Sequence, residues 1–477
     1  DLTIKKSVSK IQNSSLSKGE FNNVVLEDGE RMLSPVPMSE RRPTFNQIMV
    51  WVGFGYVVTG LFIGGVLAGF GGKPGVSPQT AIWAIILGMG SLSIITALLG
   101  IMAQKTGMSL ALVSRYSYGI KGANLPMIIM ALLTLGWFAS ITGMVGQIWG
   151  SFIGNPSGVI VFDPANFGYK DIAPITLEVF LACFIFGIIF TITAYVGIKA
   201  IEAIAIPISP VILIIAVYVG YEMLAEGGGA TAFLEKTKNI QGLGLGNAIT
   251  AVVGSWIAGA VMGVDLFRFN KSVKAVIAGV VACFILTNPL LNIVGYIGAV
   301  SVGQFNYVEW MLTKSALLAI IGVIAWTASL WTTNNAELYC NSLYTGPVLS
   351  SINLNINRKK LVLIAGVVGT VLGSFAFYQM FFASFITILG TFAPPLAGPL
   401  IADYYIIKKG KYDIAKFNSE PDYHMAGVIS FVIGALLGFI FQYYLPLPFD
   451  LPSGLVALVI TIIIYPIFYK IFNKEMR

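Results

Sequence analysis

The sequence predicts an all-α polytopic membrane protein, and three observations carry that prediction. Hydrophobic residues make up 56% of the 477-residue chain and charged residues only 11%, where soluble domains carry about 25% charged residues. Mean hydropathy is +0.82. The apolar residues also fall into twelve runs, each near the ~20 residues that a spanning helix needs. The formal charge of +7 does not indicate nucleic-acid binding, because the Lys and Arg residues cluster at the ends of the apolar runs, as membrane topology dictates. The expected partner is the lipid bilayer.

The runs lie at 45–70, 79–103, 125–153, 173–196, 198–225, 243–264, 272–301, 314–346, 360–376, 378–403, 425–445 and 452–473. Residues 1–43 are polar and of mixed charge, lack a signal-peptide pattern, and read as a mobile tail. Arg41 and Arg42 precede the first run and place that tail inside. Alternate connectors then stay basic: Lys105, Arg115 and Lys121; Arg268, Lys271 and Lys274; Arg358, Lys359 and Lys360; the stretch from Lys408 to Lys416; and Lys470, Lys474 and Arg477 at the end. One missed helix would scramble that alternation. It supports a multi-pass protein of the cell membrane with both termini cytoplasmic.

The first and sixth runs are broken by glycine. The first reads Val52-Gly53-Phe54-Gly55-Tyr56-Val57-Val58-Thr59-Gly60 and the sixth Gly254-Ser255-Trp256-Ile257-Ala258-Gly259. Interrupted helices at corresponding places in two halves point to an inverted-repeat transporter, with backbone groups freed at the midplane. Close helix packing through Gly60/Gly64 and Gly259/Gly263 is the other reading, and the two are compatible. Pro207 and Pro210 in the fifth run, and Pro394, Pro395 and Pro399 in the tenth, free further carbonyls and serve either a gate or a fixed bend.

The eighth run holds Ser329-Leu330-Trp331-Thr332-Thr333-Asn334-Asn335-Ala336-Glu337. Polar groups at that depth are costly unless paired or facing a cavity, which makes them site candidates. Thr332 and Thr333 offer hard oxygens to a small cation, with the Ser329 carbonyl one turn earlier and carbonyls near Val57 and Gly60 opposite. Hydroxyls bonding back to the preceding turn are the competing reading. Asn334 suits the edge of a planar polar ligand, or an interhelical hydrogen bond. Trp137 and Trp256 sit near the middle of their runs and either sandwich a flat ring or fill the core. Glu337 reads as a proton carrier or a paired structural carboxylate, Asp265 and Arg268 as loop anchors, and Asn335 has no assigned role.

Metal and enzyme chemistry find no support. Cys183, Cys283 and Cys340 lie inside apolar runs without ligand spacing, and His424 is the only histidine. No nucleophile–base pair stands out, so no enzyme is expected.

In order along the chain stand Pro35-Val36-Pro37 with Arg41, Lys105 to Ser109 with Arg115 to Gly119, Gly136-Trp137-Phe138, Gly254 to Phe269, Thr332-Thr333-Asn334 and Pro399 to Tyr405. This set resembles the nucleobase–cation symporter-1 family, which holds cytosine, purine, allantoin and hydantoin permeases. The resemblance implies a leucine-transporter-like fold of two inverted five-helix repeats, 44–225 and 226–403, with a connector and two more helices over 404–477. It implies sodium bound by the carbonyls of Val57, Gly60 and Ser329 and the hydroxyls of Thr332 and Thr333. It implies a small neutral heterocycle stacked on Trp137 and Trp256, with Asn334, Ser255 and the Thr134 position around it, the tenth helix as outer gate, and a monomer. A proton carried by Glu337 or Glu202 is the alternative coupling. The sequence departs from the family where Thr134 and Ile141 stand in place of glutamines, which leaves the ligand's identity open.

Overall fold

The computed structural model describes residues 31–170 and 172–472. The tail over residues 1–30 and the basic Lys474 and Arg477 lie outside the described residues. Helix stands in every one of the twelve apolar runs. Among the described residues, nine helices are long and apolar enough to cross a membrane, and the bent first pair makes ten. The ninth and tenth runs are the helices Arg358–Ser374 and Phe377–Ile401.

The glycine-rich runs break where glycine and bulky residues alternate. Thr44–Gly55 ends at Tyr56, Val57 is extended at φ −126° and ψ 144°, and helix resumes at Val58–Leu67. The two pieces are bent by 46°. The sixth helix is Leu245–Gly254 and Ile257–Phe267, parted at Ser255 and Trp256. Breaks inside a bilayer leave carbonyls that must find protein partners. Asn288 of the seventh helix donates through Nδ2 to the Gly55 carbonyl at 3.2 Å.

Three features depart from the sequence expectation. The chain is not purely helical: Ile160–Phe162 pairs antiparallel with Ile175–Thr176 in the connector before the fourth helix, which starts only at Leu177. The β-branched Ile160, Val161, Ile175 and Thr176 favour strand there, so apolar character alone placed the helix start too early. The eighth helix is Ala316–Ser351, running past Pro347 for 36 residues. At 1.5 Å per residue that is about 54 Å, well beyond the ~30 Å hydrocarbon core. Finally, residues 31–43 are not a loose tail. Met32, Val36 and Arg41 are buried, the Val36 amide donates to the Gly107 carbonyl at 2.7 Å, and Arg41 donates to the Asn270 carbonyl at 3.0 Å. Gly107 has φ +70°, and a Cβ there would lie 2.5 Å from the Val36 carbonyl oxygen. Only glycine suits such a position.

The basic end of the bundle is tied by polar groups that the sequence scatters widely. Asp265 accepts from the Leu110 amide at 3.0 Å and from the Tyr344 hydroxyl at 2.8 Å. Arg268 donates to the Tyr339 hydroxyl at 3.0 Å and to the Arg31 carbonyl at 2.8 Å. Arg42 and Gln47 at the start of the first helix grip Glu202 of the fifth, at 3.0 and 3.1 Å. Buried charges persist only when paired in this way. Asp403 accepts hydrogen bonds from the Tyr412 hydroxyl at 2.7 Å and the Tyr465 hydroxyl at 2.9 Å, which docks the last helix.

The first and seventh helices touch backbone to backbone. A Cβ on Gly64 would lie 2.3 Å from the Asn292 carbonyl oxygen, and one on Gly295 would lie 2.3 Å from that of Leu61. We expect Gly295→Ala to destabilise the detergent-solubilised protein by about 1–3 kcal/mol through overpacking. Gly90→Ala, with open space around its Cβ position, should be neutral or gain up to about 1 kcal/mol. Chemical unfolding of both variants checks the pair, and equal effects would contradict the packing described.

Candidate ligand and cation site

The break in the first helix faces the middle of the eighth. Thr332 donates its hydroxyl to the Ser329 carbonyl at 2.7 Å and lies 3.0 Å from the Gly53 carbonyl. A Cβ on Gly53 would come within 3.2 Å of that hydroxyl oxygen and 3.1 Å of the Ser209 hydroxyl, so the absence of a side chain sets the approach. Thr333 points further round; its Oγ1 is buried without a hydrogen-bond partner. Three neutral oxygens, those of Gly53, Ser329 and Thr332, therefore converge on one spot. Uncharged oxygen donors are the chemistry of a hard cation of low charge.

The first-helix half differs from the sequence expectation. Gly53 stands opposite Thr332, not Val57 or Gly60. The Val57 carbonyl accepts from the Gly60 amide at 3.0 Å, and the Gly60 Cα faces Leu291 and Asn288 of the seventh helix. The break falls at Tyr56 and Val57, so the residue presenting its carbonyl across the gap lies one turn earlier than supposed.

Beside this spot lies a small cavity walled by Phe54, Val57, Thr59, Trp137, Ser255, Trp256, Gly259, Thr333 and Glu337. Its volume is about 20 Å³, room for one water molecule, where ligand pockets span about 300–1,000 Å³. A heterocycle enters only if the walls part. Four wall residues end in buried polar atoms with no hydrogen-bond partner: Thr59 Oγ1, Trp256 Nε1, Thr333 Oγ1 and Glu337 Oε2. Native interiors rarely tolerate such a cluster without a purpose.

Both tryptophans line the cavity. Trp256 meets Phe54 edge-on with ring centroids 4.9 Å apart, and Phe284 at 5.4 Å. Trp137 meets Phe385 of the tenth helix edge-on at 5.7 Å. Ser255 lines the cavity, but its hydroxyl is committed to the Val252 carbonyl at 2.7 Å.

Two expected ligand contacts turn elsewhere. Asn334 is fully buried and donates through Nδ2 to Thr142 of the third helix at 3.1 Å; it does not line the cavity. Thr134 bonds back to the Met130 carbonyl at 2.8 Å and accepts from Asn341 at 3.0 Å, off the cavity wall. The residues that line the cavity from the eighth helix are Thr333 and Glu337. One residue step turns a helix by about 100°, so sequence alone does not fix which polar residue points inward. Asn335 accepts from Thr193 of the fourth helix at 2.5 Å. Phe54, Thr59 and Gly259 also line the cavity; a threonine or glycine inside an apolar run marks the last two, and nothing in the sequence marks Phe54.

At the far end, between the third, fourth and tenth helices, a second cavity of about 660 Å³ is lined by Gln147, Ser151, Asn155, Thr176, Tyr378 and Gln379.

The chain matches, over residues 35–458, the family described as permeases for cytosine/purines, uracil, thiamine and allantoin. It is 25% identical over 412 residues to the cytosine permease of Escherichia coli strain K12, covering 86% of this chain and 89% of that one. It is 26% identical over 357 residues to the hydantoin permease of Microbacterium maritypicum, covering 70% and 68%. Among solved structures it is similar to Mhp1, a nucleobase-cation-symport-1 family transporter in a closed conformation with bromovinylhydantoin bound. The TM-score is 0.75 at 20% identity, over 94% of this chain and 96% of that one. A Na+-coupled sialic acid symporter also superposes, with TM-score 0.62 at 11% identity over 91% of each chain. These likenesses establish a leucine-transporter-like fold.

A Cβ on Gly259 would lie 2.5 Å from the Trp256 ring. Gly259→Ala should therefore cost about 1–3 kcal/mol, and much of that cost should vanish when Trp256→Leu is also present. A double-mutant cycle on unfolding free energies checks this, and simple additivity would contradict the ring position.

Proposed function

The chain belongs to this family of permeases for cytosine/purines, uracil, thiamine and allantoin, and we propose that it imports a small, planar, neutral nitrogen heterocycle together with sodium. It is a polytopic membrane transporter and not an enzyme. The observation that carries the substrate reading is the cavity between Trp137 and Trp256, whose wall holds four polar atoms without protein partners. Two aromatic faces accept a flat ring, with stacking worth about 1–3 kcal/mol. The unpaired atoms supply hydrogen bonds along its edge.

Sodium would sit among the Gly53 and Ser329 carbonyls and the Thr332 and Thr333 hydroxyls. There it draws the broken first helix onto the eighth. Thr333 belongs to both the cation group and the cavity wall, so binding at one place shapes the other. A ligand shifts a conformational equilibrium only by its differential affinity for the two states. Sodium and the heterocycle therefore couple by favouring the same outward-facing form.

The halves 44–225 and 226–403 would rock against each other, with 404–477 flanking them. Phe385 on the tenth helix closes the outer side over Trp137, and the far cavity at Gln147 and Gln379 serves as the vestibule. The network of Asp265, Arg268, Tyr339 and Tyr344 closes the cytoplasmic side. The protein acts as a monomer in the cell membrane, with the basic end and both termini inside.

Proton coupling is the rival reading, and one observation favours it: the Glu337 carboxyl on the cavity wall. Glu202 is less suited, since Arg42, Asn46 and Gln47 all bond its carboxylate.

The test is uptake into proteoliposomes. Thr332→Ala combined with Thr333→Ala should lower sodium-stimulated uptake at least tenfold and abolish the rise of apparent ligand affinity with sodium. Uptake that ignores sodium in the parent chain and follows a pH gradient would replace the sodium assignment with the proton one.

A further inference from the structure

We infer that Glu337 sets specificity by accepting two adjacent N–H donors from the ligand, a ring N–H beside an exocyclic amino group. This rests on the heterocycle-import reading above and narrows its substrate class.

Glu337 is 5% exposed and its side chain lines the cavity together with Trp137, Trp256 and Thr333. Its Oε2 has no hydrogen-bond partner. No Lys or Arg is among the wall residues. Arg268, at the end of the sixth helix, is held by Tyr339 and the Arg31 carbonyl. A buried carboxyl with an unpaired oxygen gains from a ligand that brings hydrogen-bond donors to it. Parallel N–H donors from a ligand satisfy it in the bidentate geometry that carboxylates favour.

Thr59, Thr333 and Trp256 also carry unpaired polar atoms on the wall, but Glu337 is the one carboxyl among the wall residues. Asn334, whose Nδ2 donates to Thr142, and Thr134, whose hydroxyl bonds the Met130 carbonyl, do not line the cavity. The Ser255 hydroxyl bonds the Val252 carbonyl. Two oxygens that only accept are complementary to a donor–donor edge, such as the N1–H and 2-amino group of guanine. They oppose an edge that mixes donor and acceptor. A site built on such hydrogen bonds discriminates because a mismatched ligand leaves buried groups unpaired.

The test compares guanine with hypoxanthine, which lacks the 2-amino group, for binding to the purified full chain in sodium. Guanine should bind at least about tenfold more tightly. Glu337→Gln, which turns one acceptor into a donor, should bring the ratio to near one or below. Glu337→Asp keeps the charge and should keep the preference at weaker affinity; its melting curve also shows whether substitution at this position is tolerated by the fold. An unchanged ratio in Glu337→Gln, or equal binding of both purines by the parent chain, overturns the role of Glu337 while leaving heterocycle import intact. If none of guanine, hypoxanthine, cytosine, uracil, hydantoin and allantoin binds the parent chain, the import reading itself fails and this inference falls with it.

Discussion

The approach of the Thr332 hydroxyl to the Gly53 carbonyl is the contact on which the architecture of the site turns. A helix broken within a bilayer leaves polar backbone groups that lipid does not satisfy. The first helix breaks at Tyr56 and Val57 because neighbouring helices take up those groups: Thr332 meets Gly53, and Asn288 meets Gly55. Both contacts need glycine on the first helix, since a Cβ on Gly53 would press on the Thr332 and Ser209 hydroxyls, and one on Gly55 would press on Cys283. The polar stretch of the eighth helix thus does two things at once. It repairs a broken backbone, and it gathers oxygens in one place.

The same economy governs the cavity. Trp256 stands at the break of the sixth helix, at φ −134°, where helix geometry would have turned its ring elsewhere. Gly259 leaves room for that ring, and Phe54 and Phe284 brace it edge-on. Phe385 bridges from the tenth helix to Trp137. Phe54, Trp137 and Trp256, from the first, third and sixth helices, are the aromatic walls of the cavity. The networks of Asp265, Arg268 and Glu202 meanwhile tie the basic end together.

Much of the fold was legible in the sequence because bilayer energetics are coarse. About twenty apolar residues and a basic flank suffice to place a helix, and the glycine-rich first and sixth runs did break. What escaped depended on finer geometry. The Ile160–Phe162 strand pairing hid inside an apolar stretch. The carbonyl opposite Thr332 belongs to Gly53, one turn before the extended Val57, and the glycines of the first run do not distinguish the two. Thr333 and Glu337 line the cavity from the eighth helix, and Asn334 donates to Thr142, because helix rotation is set by packing against the third and fourth helices. Thr134 and Asn341 form a pair 207 residues apart, which no local pattern reveals.

The central claim is that a cation at the junction of the first and eighth helices and a ligand between the tryptophans stabilise one another. A thermal-shift screen of the purified chain against nucleobases, hydantoins and allantoin, in sodium and in choline, tests it most directly. Ligand binding raises folded-state stability by mass action. The account predicts a heterocycle that raises the melting temperature clearly in sodium and little in choline. Equal stabilisation in both media would contradict it.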